Sequence, residues 1–314
     1  MLITDQVATA PCTDRVQERF RTFEARLFAT KKHKNHLCFF VVIAATLAAF
    51  VSISAQAQSQ CPDESDLINA DRPGIADGST VVGPKTFQFE SGIQQEFRRE
   101  GNVREHTFFV PTLLRFGIGS HWEARIEGNT FTRDTTLEST NPIDEVSGFA
   151  PVSLGFKYQI YDSNGDHQLS LGTIVRVFPT WGSKEFRTQH ATGDIRLAAD
   201  WNFAPSLKLS VNPNAGIARY EDDQGKLFTA ALFATTLNYL PTKKLNPFLD
   251  VGVQSPETSD GKTAAILDSG IAYIIGQNLQ IDASFGTRVH GETSPRPFLA
   301  FGISWRAKPS HVRR

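Results

Sequence analysis

The sequence predicts an all-β fold, an antiparallel transmembrane β-barrel of about 12 strands preceded by an N-terminal signal peptide. Three observations carry that prediction. From Phe87 almost to the C-terminus, stretches of roughly 9–13 residues alternate apolar and polar, as strands do when one face meets lipid and the other water. The connections between them alternate short and long, the pattern of periplasmic turns and extracellular loops. The chain also opens with the three-part layout of an export signal. In Trp122-Glu123-Ala124-Arg125-Ile126-Glu127, the apolar residues point one way and the charges the other. A helix, with a period of 3.6, would scatter those charges around its circumference. The same alternation recurs in Ile195–Phe203 and Leu279–Phe285.

Composition is compatible with this fold. A mean hydropathy of −0.24 over 314 residues excludes a bundle of membrane helices but not a barrel, because half of each barrel strand is polar. The formal net charge of −1, with no basic cluster interleaved with aromatics, argues against nucleic-acid binding. With Phe at 24 and Tyr at 5, an aromatic girdle is expected to be built largely from Phe, with a few Trp and Tyr.

In chain order, the leader comes first (residues 1–57). Lys31-Lys32-His33-Lys34 precedes the apolar run Leu37–Ile53, and Ala55-Gln56-Ala57 supplies small residues for a signal peptidase, giving cleavage after Ala57. An uncleaved anchor helix is the competing reading, since the run is nearly long enough to span. The Ala-x-Ala ending and the polar Gln58-Ser59-Gln60 favour cleavage. Residues 1–30 are polar and charged and read as an over-long gene start. Cys12 and Cys38 leave with the leader, so Cys61 alone remains and no internal disulfide is expected. Gln58-Ser59-Gln60 lacks the features of a lipid-attachment site.

Residues 58–85 are expected as a periplasmic segment and 86–306 as the barrel, with 307–314 as a tail. Strands are expected to begin near Thr86, Thr107, His121, Ala150, His167, Gly193, Ser206, Leu227, Asn246, Thr263, Asn278 and Arg296. Brief turns such as Gly119-Ser120, Ala204-Pro205 and Gly276-Gln277 carry hairpin chemistry. Longer polar connections are expected at Arg133–Ser147, Pro179–Thr192, Gln254–Lys262 and His290–Pro295. An even strand count puts both termini in the periplasm. A soluble β-sandwich would invert the faces. Against it stand strands longer than the usual five or six residues, the export signal, and inward positions too rich in charge and glycine for a packed core.

Ala70-Asp71-Arg72-Pro73-Gly74, followed by Gly83-Pro84-Lys85-Thr86-Phe87-Gln88-Phe89-Glu90-Ser91-Gly92, resembles the outer-membrane transporter family labelled "MetA-pathway of phenol degradation". The resemblance runs from about Asn69 to Trp305. It implies a barrel in the outer membrane of a Gram-negative bacterium and transport of aromatic or other hydrophobic small molecules. Such barrels usually stop on a terminal aromatic that the outer-membrane assembly machinery reads. Here Phe301-Gly302-Ile303-Ser304-Trp305 has the pattern, but Arg306–Arg314 follow it.

Strand parity then assigns the lumen face: Glu90, Gln94, Glu96, Arg98, Arg115, Glu123, Arg125, Glu127, Asn129, Lys157, Arg176, Asp194, Arg196, Asp200, Lys208, Asp250, Asp268, Asp282 and Arg288. Nearly matched signs argue against a one-sign selectivity ring and suggest cross-strand pairs that brace the wall, the favoured reading, or a wet channel of weak selectivity. Arg115, Glu123, Arg125, Glu127, Arg176, Arg196 and Asp200 are the candidates for contacting solute. Asp71, Arg72 and Pro73 read as a cap packed on the barrel mouth; the sharper alternative is a segment that enters and plugs the lumen. Enzyme activity is not expected. There is no Gly-x-Ser-x-Gly elbow, no His-x-x-x-His or Cys-x-x-Cys, and no phosphate loop. No cofactor or metal is expected; the expected partners are outer-membrane lipid, a small-molecule solute and the assembly machinery. The function expected is a passive, porin-like channel; the alternative is a non-conducting structural or adhesion barrel.

Overall fold

The computed structural model describes residues 66–308 apart from 139–140, 164–167, 223, 260 and 292–296. The expected signal peptide, its cleavage site, the three cysteines and the end of the C-terminal tail lie outside the described residues. So does most of the His290–Pro295 connection. The strands are β1 (Phe87–Glu100), β2 (Val103–Gly117), β3 (Trp122–Glu138), β4 (Asn141–Gly148), β5 (Ser153–Asp162), β6 (Leu169–Phe178) and β7 (Thr192–Ala204). They continue as β8 (Leu209–Glu221), β9 (Leu227–Tyr239), β10 (Leu245–Ser255), β11 (Ala264–Ile275), β12 (Leu279–His290) and β13 (Phe298–Ala307). No helix among the described residues is long and apolar enough to cross a membrane.

Every pairing is antiparallel between neighbours, and β1 closes the sheet on β13 from Phe87↔Ala307 to Glu96↔Phe298. Closure removes the sheet edges that lipid could not satisfy. β3 pairs with β5 along Trp122–Glu127 and with β4 along Thr132–Glu138. β4 and β5 therefore form one kinked stave, and the barrel has 12.

The faces are inverted relative to a soluble protein. On β5, Phe156 is 53% exposed while Lys157 is 0%; on β7, Ile195 is 52% exposed and Arg196 is 2%. Hydrocarbon is the only solvent that such an outer surface suits. An aromatic rim marks the short-turn end, where Trp122, Tyr161, Trp201, Tyr239 and Tyr273 are exposed. Trp122 stacks on Tyr158 with ring centroids 4.5 Å apart. This rim is built from Trp and Tyr more than from the expected Phe, the residue types whose polar tips suit a membrane–water boundary.

Two expectations are corrected. Arg133–Ser147 is not a loop: it holds the outer third of β3 and most of β4, which protrude as a ladder. Lys208 does not face the lumen. It is exposed in the turn after a 3-10 helix (Pro205–Leu207) with a φ of 58°, and its Nζ donates to the Pro241 carbonyl. The positive φ takes it off the strand parity that put it inside.

Candidate functional site: a plugged lumen

Residues 66–85 lie inside the barrel rather than capping its mouth. The segment is tied at the short-turn end, where Ile68 N–H donates to the Gln277 carbonyl at 2.8 Å. There Arg306, buried on β13, donates to the Leu67 and Asp66 carbonyls at 3.1 and 2.8 Å. It then rises to a tip at Ile75 and Ala76, which pack on Ala234, Ala264, Ile266 and Phe298 as a small apolar cluster. Ala264 and Phe298 begin strands at the long-loop end, so the tip reaches most of the way across. The segment returns past Ser79, whose N–H and Oγ both donate to Asp200 at 2.9 and 2.7 Å. Val82 N–H then donates to Glu123 at 3.0 Å.

Irregular backbone inside a barrel must find partners for its amides, and lumen carboxylates provide them. Asp250 accepts from Ile75 N–H at 2.9 Å and Glu90 from Arg72 N–H at 3.0 Å. Glycines make room. Gly92 and Gly302 face each other across β1 and β13, and the Arg72 guanidinium lies over both; a Cβ on Gly302 would stand 2.4 Å from Arg72 Nε. A Cβ on Gly172 would stand 2.4 Å from the Ser79 carbonyl oxygen.

Charge does most of the holding. Asp71 meets Arg125 at 2.5 Å, Lys157 at 2.9 Å and Arg115 at 3.5 Å. Asp77 meets Arg125 at 2.9 Å and Arg196 at 3.3 Å. Burial alone would push the Asp71 carboxyl up, but Arg115, Lys157 and Arg125 outweigh it and hold it well below the usual carboxylate range. Asp77 is held down likewise, burial being outweighed chiefly by Arg125. Arg72 reaches the opposite wall and pairs with Asp282 at 3.2 Å.

Of the candidate solute contacts, Arg115, Glu123, Arg125, Glu127, Arg176 and Arg196 are all buried in this network. Cross-strand pairs brace it: Arg115–Glu123 at 2.8 Å, Arg176–Glu127 at 2.8 Å and Arg176–Asp194 at 2.6 Å. Asp200 is half-buried and serves as an anchor for Ser79. Asp71 and Arg72 fasten the segment ionically together with Asp77, and Pro73 leads into its tip. Sequence reasoning missed Asp77, Gly172 and Gly302. The one available signal was glycine at lumen parity, which marks places where another backbone comes close.

Space remains beside the segment. A cavity of about 330 Å³ opens at the short-turn mouth, between the segment and β7–β10. A smaller one of about 70 Å³ lies by β1, β2 and β13. At the long-loop end, residues 179–191 fold onto the β4–β5 link. Ser183 N–H donates to the Phe149 carbonyl at 3.0 Å, and the Trp181 indole N–H donates to the Val152 carbonyl at 2.8 Å. Phe178 and Phe186 are buried beneath, while Trp181 stays exposed. Among the described residues no cluster of His, Cys, Asp and Glu could hold a metal ion.

The family described as "Putative MetA-pathway of phenol degradation" matches residues 70–307. Among solved structures, the chain is similar to the COG4313 outer membrane channel from Pseudomonas putida F1. That match has 10% identity and a TM-score of 0.56, covering 73% of this chain and 98% of that one. The Pseudomonas putida toluene transporter TodX gives 8% identity and a TM-score of 0.42, covering 75% and 96%. The KdgM porin gives 9% and 0.42, covering 70% and 98%. At these identities the likeness concerns the fold, and the COG4313 channel alone of the three carries that argument. No curated protein matches the chain in sequence.

Proposed function

We propose a function from one premise, that the chain belongs to the MetA-pathway phenol-degradation family: it is an outer-membrane channel passing small molecules without an energy source. The family description points to aromatic or other hydrophobic solutes. The observation that supports the reading best is a closed barrel with lipid-facing apolar staves and a charged interior, filled by its own residues 66–85. The short turns face the periplasm in this reading, and the segment enters from there. Residues 179–191 then lie on the cell surface, where Trp181 is placed to meet arriving solute. In the docked state Arg115, Arg125 and Arg176 are buried among acids of the wall and, for the first two, of the segment, so they meet solute only when the segment moves. We assign no catalytic role to any residue. Lipid is the partner of the outer face, and the assembly machinery the partner of β13, whose Trp305 stands near the strand's end.

A planar-bilayer recording tests this. The chain from Gln58 to Arg314 is compared with one beginning at Lys85. The shortened barrel is expected to give large, steady conductance steps and the longer one smaller or intermittent steps. Heat-modifiable, folded barrels with no steps in either form would reject the channel. They would support the non-conducting structural or adhesion reading, which the filled lumen favours.

A further inference from the structure

We infer that the outer face of the β1–β2 hairpin, at its long-loop end, holds the phosphate of a membrane-lipid headgroup between Arg99 and Arg104. The two arginines stand directly opposite each other across the strand pair, and both are exposed. Arg99 shares the parity of Ile93, which is 48% exposed on the lipid face. Side chains opposed in this way have Cβ atoms about 5 Å apart, and like charges there weaken a sheet. The inner face of the same hairpin is built differently. One step along the register, Arg98 faces Glu105 and meets it at 3.9 Å. On the outer face no acid plays that part. Among the described residues of β1–β4, the acid on that face is Glu145, and both its oxygens accept from Arg133 at 2.8 Å. Arg99 gives its Nε–H to the Gly101 carbonyl at 3.2 Å, and the Arg104 guanidinium has no partner among the described residues.

The height of the pair says which anion reaches it. From Phe87 to Phe97 a strand tilted by about 40° climbs about 25 Å, the height of a barrel's apolar band. Arg99 comes two residues later, at the level of the headgroups. Directly below, the outer face is aromatic. Phe97 meets the His106 ring edge-on at 5.1 Å, and Phe108 meets Phe131 at 6.2 Å. Acyl chains lie against such a surface while the headgroup stands above it. A phosphate has three oxygens to share, so it can accept from both guanidinium forks at once and cancel their repulsion. An uncharged or zwitterionic headgroup would leave at least one positive charge uncompensated.

The site rests on the orientation given above, which puts the long-loop end at the cell surface, but it is measured apart from conductance. Native mass spectrometry of the detergent-folded chain is titrated with diphosphorylated lipid A and with the same lipid stripped of phosphate. The phosphorylated form is expected to bind at least about tenfold more tightly. Arg99→Gln/Arg104→Gln is expected to bring it down to the level of the stripped lipid. Arg219→Gln is the control, an exposed arginine of β8 that donates to Thr229 at 2.9 Å, and is expected to bind like the parent. Arg99→Glu supplies Arg104 with an acid, so it is expected to lose the lipid and to raise the unfolding temperature in detergent alone. Equal binding of the two lipids by the parent overturns the site. So does a loss on Arg219→Gln as large as that of the double variant, which would mean unspecific attraction. Displacement of the lipid by an equal concentration of inorganic phosphate would assign the pair to a soluble anion instead. Should the double variant lose heat-modifiability, Arg104→Gln alone replaces it, and undiminished binding there counts against the assignment. Binding without conductance steps would reject the channel and keep the lipid site; steps without binding would do the reverse.

Discussion

Asp71→Asn removes one charge from the lumen network while keeping the shape of the side chain. Three cations lose a partner, but not equally. Arg115 keeps Glu90 at 3.1 Å and Glu123 at 2.8 Å, and Arg125 keeps Asp77 at 2.9 Å. Lys157, fully buried, has Asp71 as its hydrogen-bonded acid at 2.9 Å. Removing one partner of a buried pair costs about 3–5 kcal/mol, and the surviving acids place this case near the lower figure. At about 1.4 kcal/mol per decade, the docked segment loses about 100-fold in population relative to the released one. The assay is maleimide labelling of Ala76→Cys, a buried position at the tip, in a chain whose native cysteines are replaced. Labelling is expected to accelerate about 100-fold, with more frequent conductance steps. Asp71→Asn/Lys157→Met removes the stranded charge and is expected to recover most of the protection. If the double variant labels as fast as the single one, the stranded lysine is not what drives release. If Asp71→Asn labels like the parent, the ionic account of the plug is wrong.

Gly172→Val leaves every charge in place but puts atoms where the Ser79 carbonyl lies, so it is expected to speed the same labelling at least tenfold; unchanged labelling would mean the wall yields there. Asp71 and Asp77 have docked values below their values in water, so their contribution to docking is full above the ordinary carboxylate pKa of about 3.9 and is lost as pH falls below it. Labelling of Ala76→Cys, divided at each pH by that of an exposed cysteine so that the falling thiolate fraction cancels, should therefore rise below about pH 4 on account of these two carboxylates, whereas no rise down to about pH 3 would remove them from the docking balance. Phe233, 45% exposed at the middle of β9, should cost about 2–4 kcal/mol as Phe233→Lys, and Trp201→Lys at the aromatic rim about 0–1 kcal/mol, measured by urea unfolding in lipid. Equal costs at the two sites would move the bilayer relative to the barrel.

How much was legible in the sequence follows from where contrast between faces exists. Within the bilayer each stave separates lipid from water, so Trp122–Glu127 and Ile195–Phe203 announce strand and facing together. Above the bilayer that contrast ends. Thr132–Glu138 and Asn141–Gly148 are polar on both sides, and a period of 2 leaves no trace when both solvents are water. The same reason hid the plug. Ala70–Gly74 has the composition of a loop in water, and the lumen, polar throughout its inner half, accepts that composition as readily as the periplasm does. Lumen parity was readable residue by residue, but strand order decides which charges meet. Asp250 and Asp268 stand opposite each other on β10 and β11, while the basic residues Arg115, Arg125, Lys157, Arg176 and Arg196 gather on β2–β7. Only the folded barrel reveals that Asp71 and Asp77 complete the basic side and that Arg72 crosses to the acidic one.

That division suggests why the segment is fastened by charge more than by apolar contact. Its apolar tip buries only Ile75 and Ala76 against four residues. Released into water, these would each cost no more than about 1.5–3 kcal/mol, the value for a large aliphatic side chain. The ion pairs behave differently from a hydrophobic contact. When docked, Arg125, Lys157 and Arg196 are satisfied by Asp71 and Asp77; when released, water entering the lumen satisfies both sets. A buried pair gains little over its separated, hydrated partners, since attraction and desolvation nearly cancel. The docked and released states can therefore lie within a few kcal/mol of each other although a dozen strong contacts distinguish them. Deleting one partner tips the balance because it breaks the cancellation on the docked side alone. A plug held by an equally large apolar interface would have no such compensation, and no comparably small perturbation would move it.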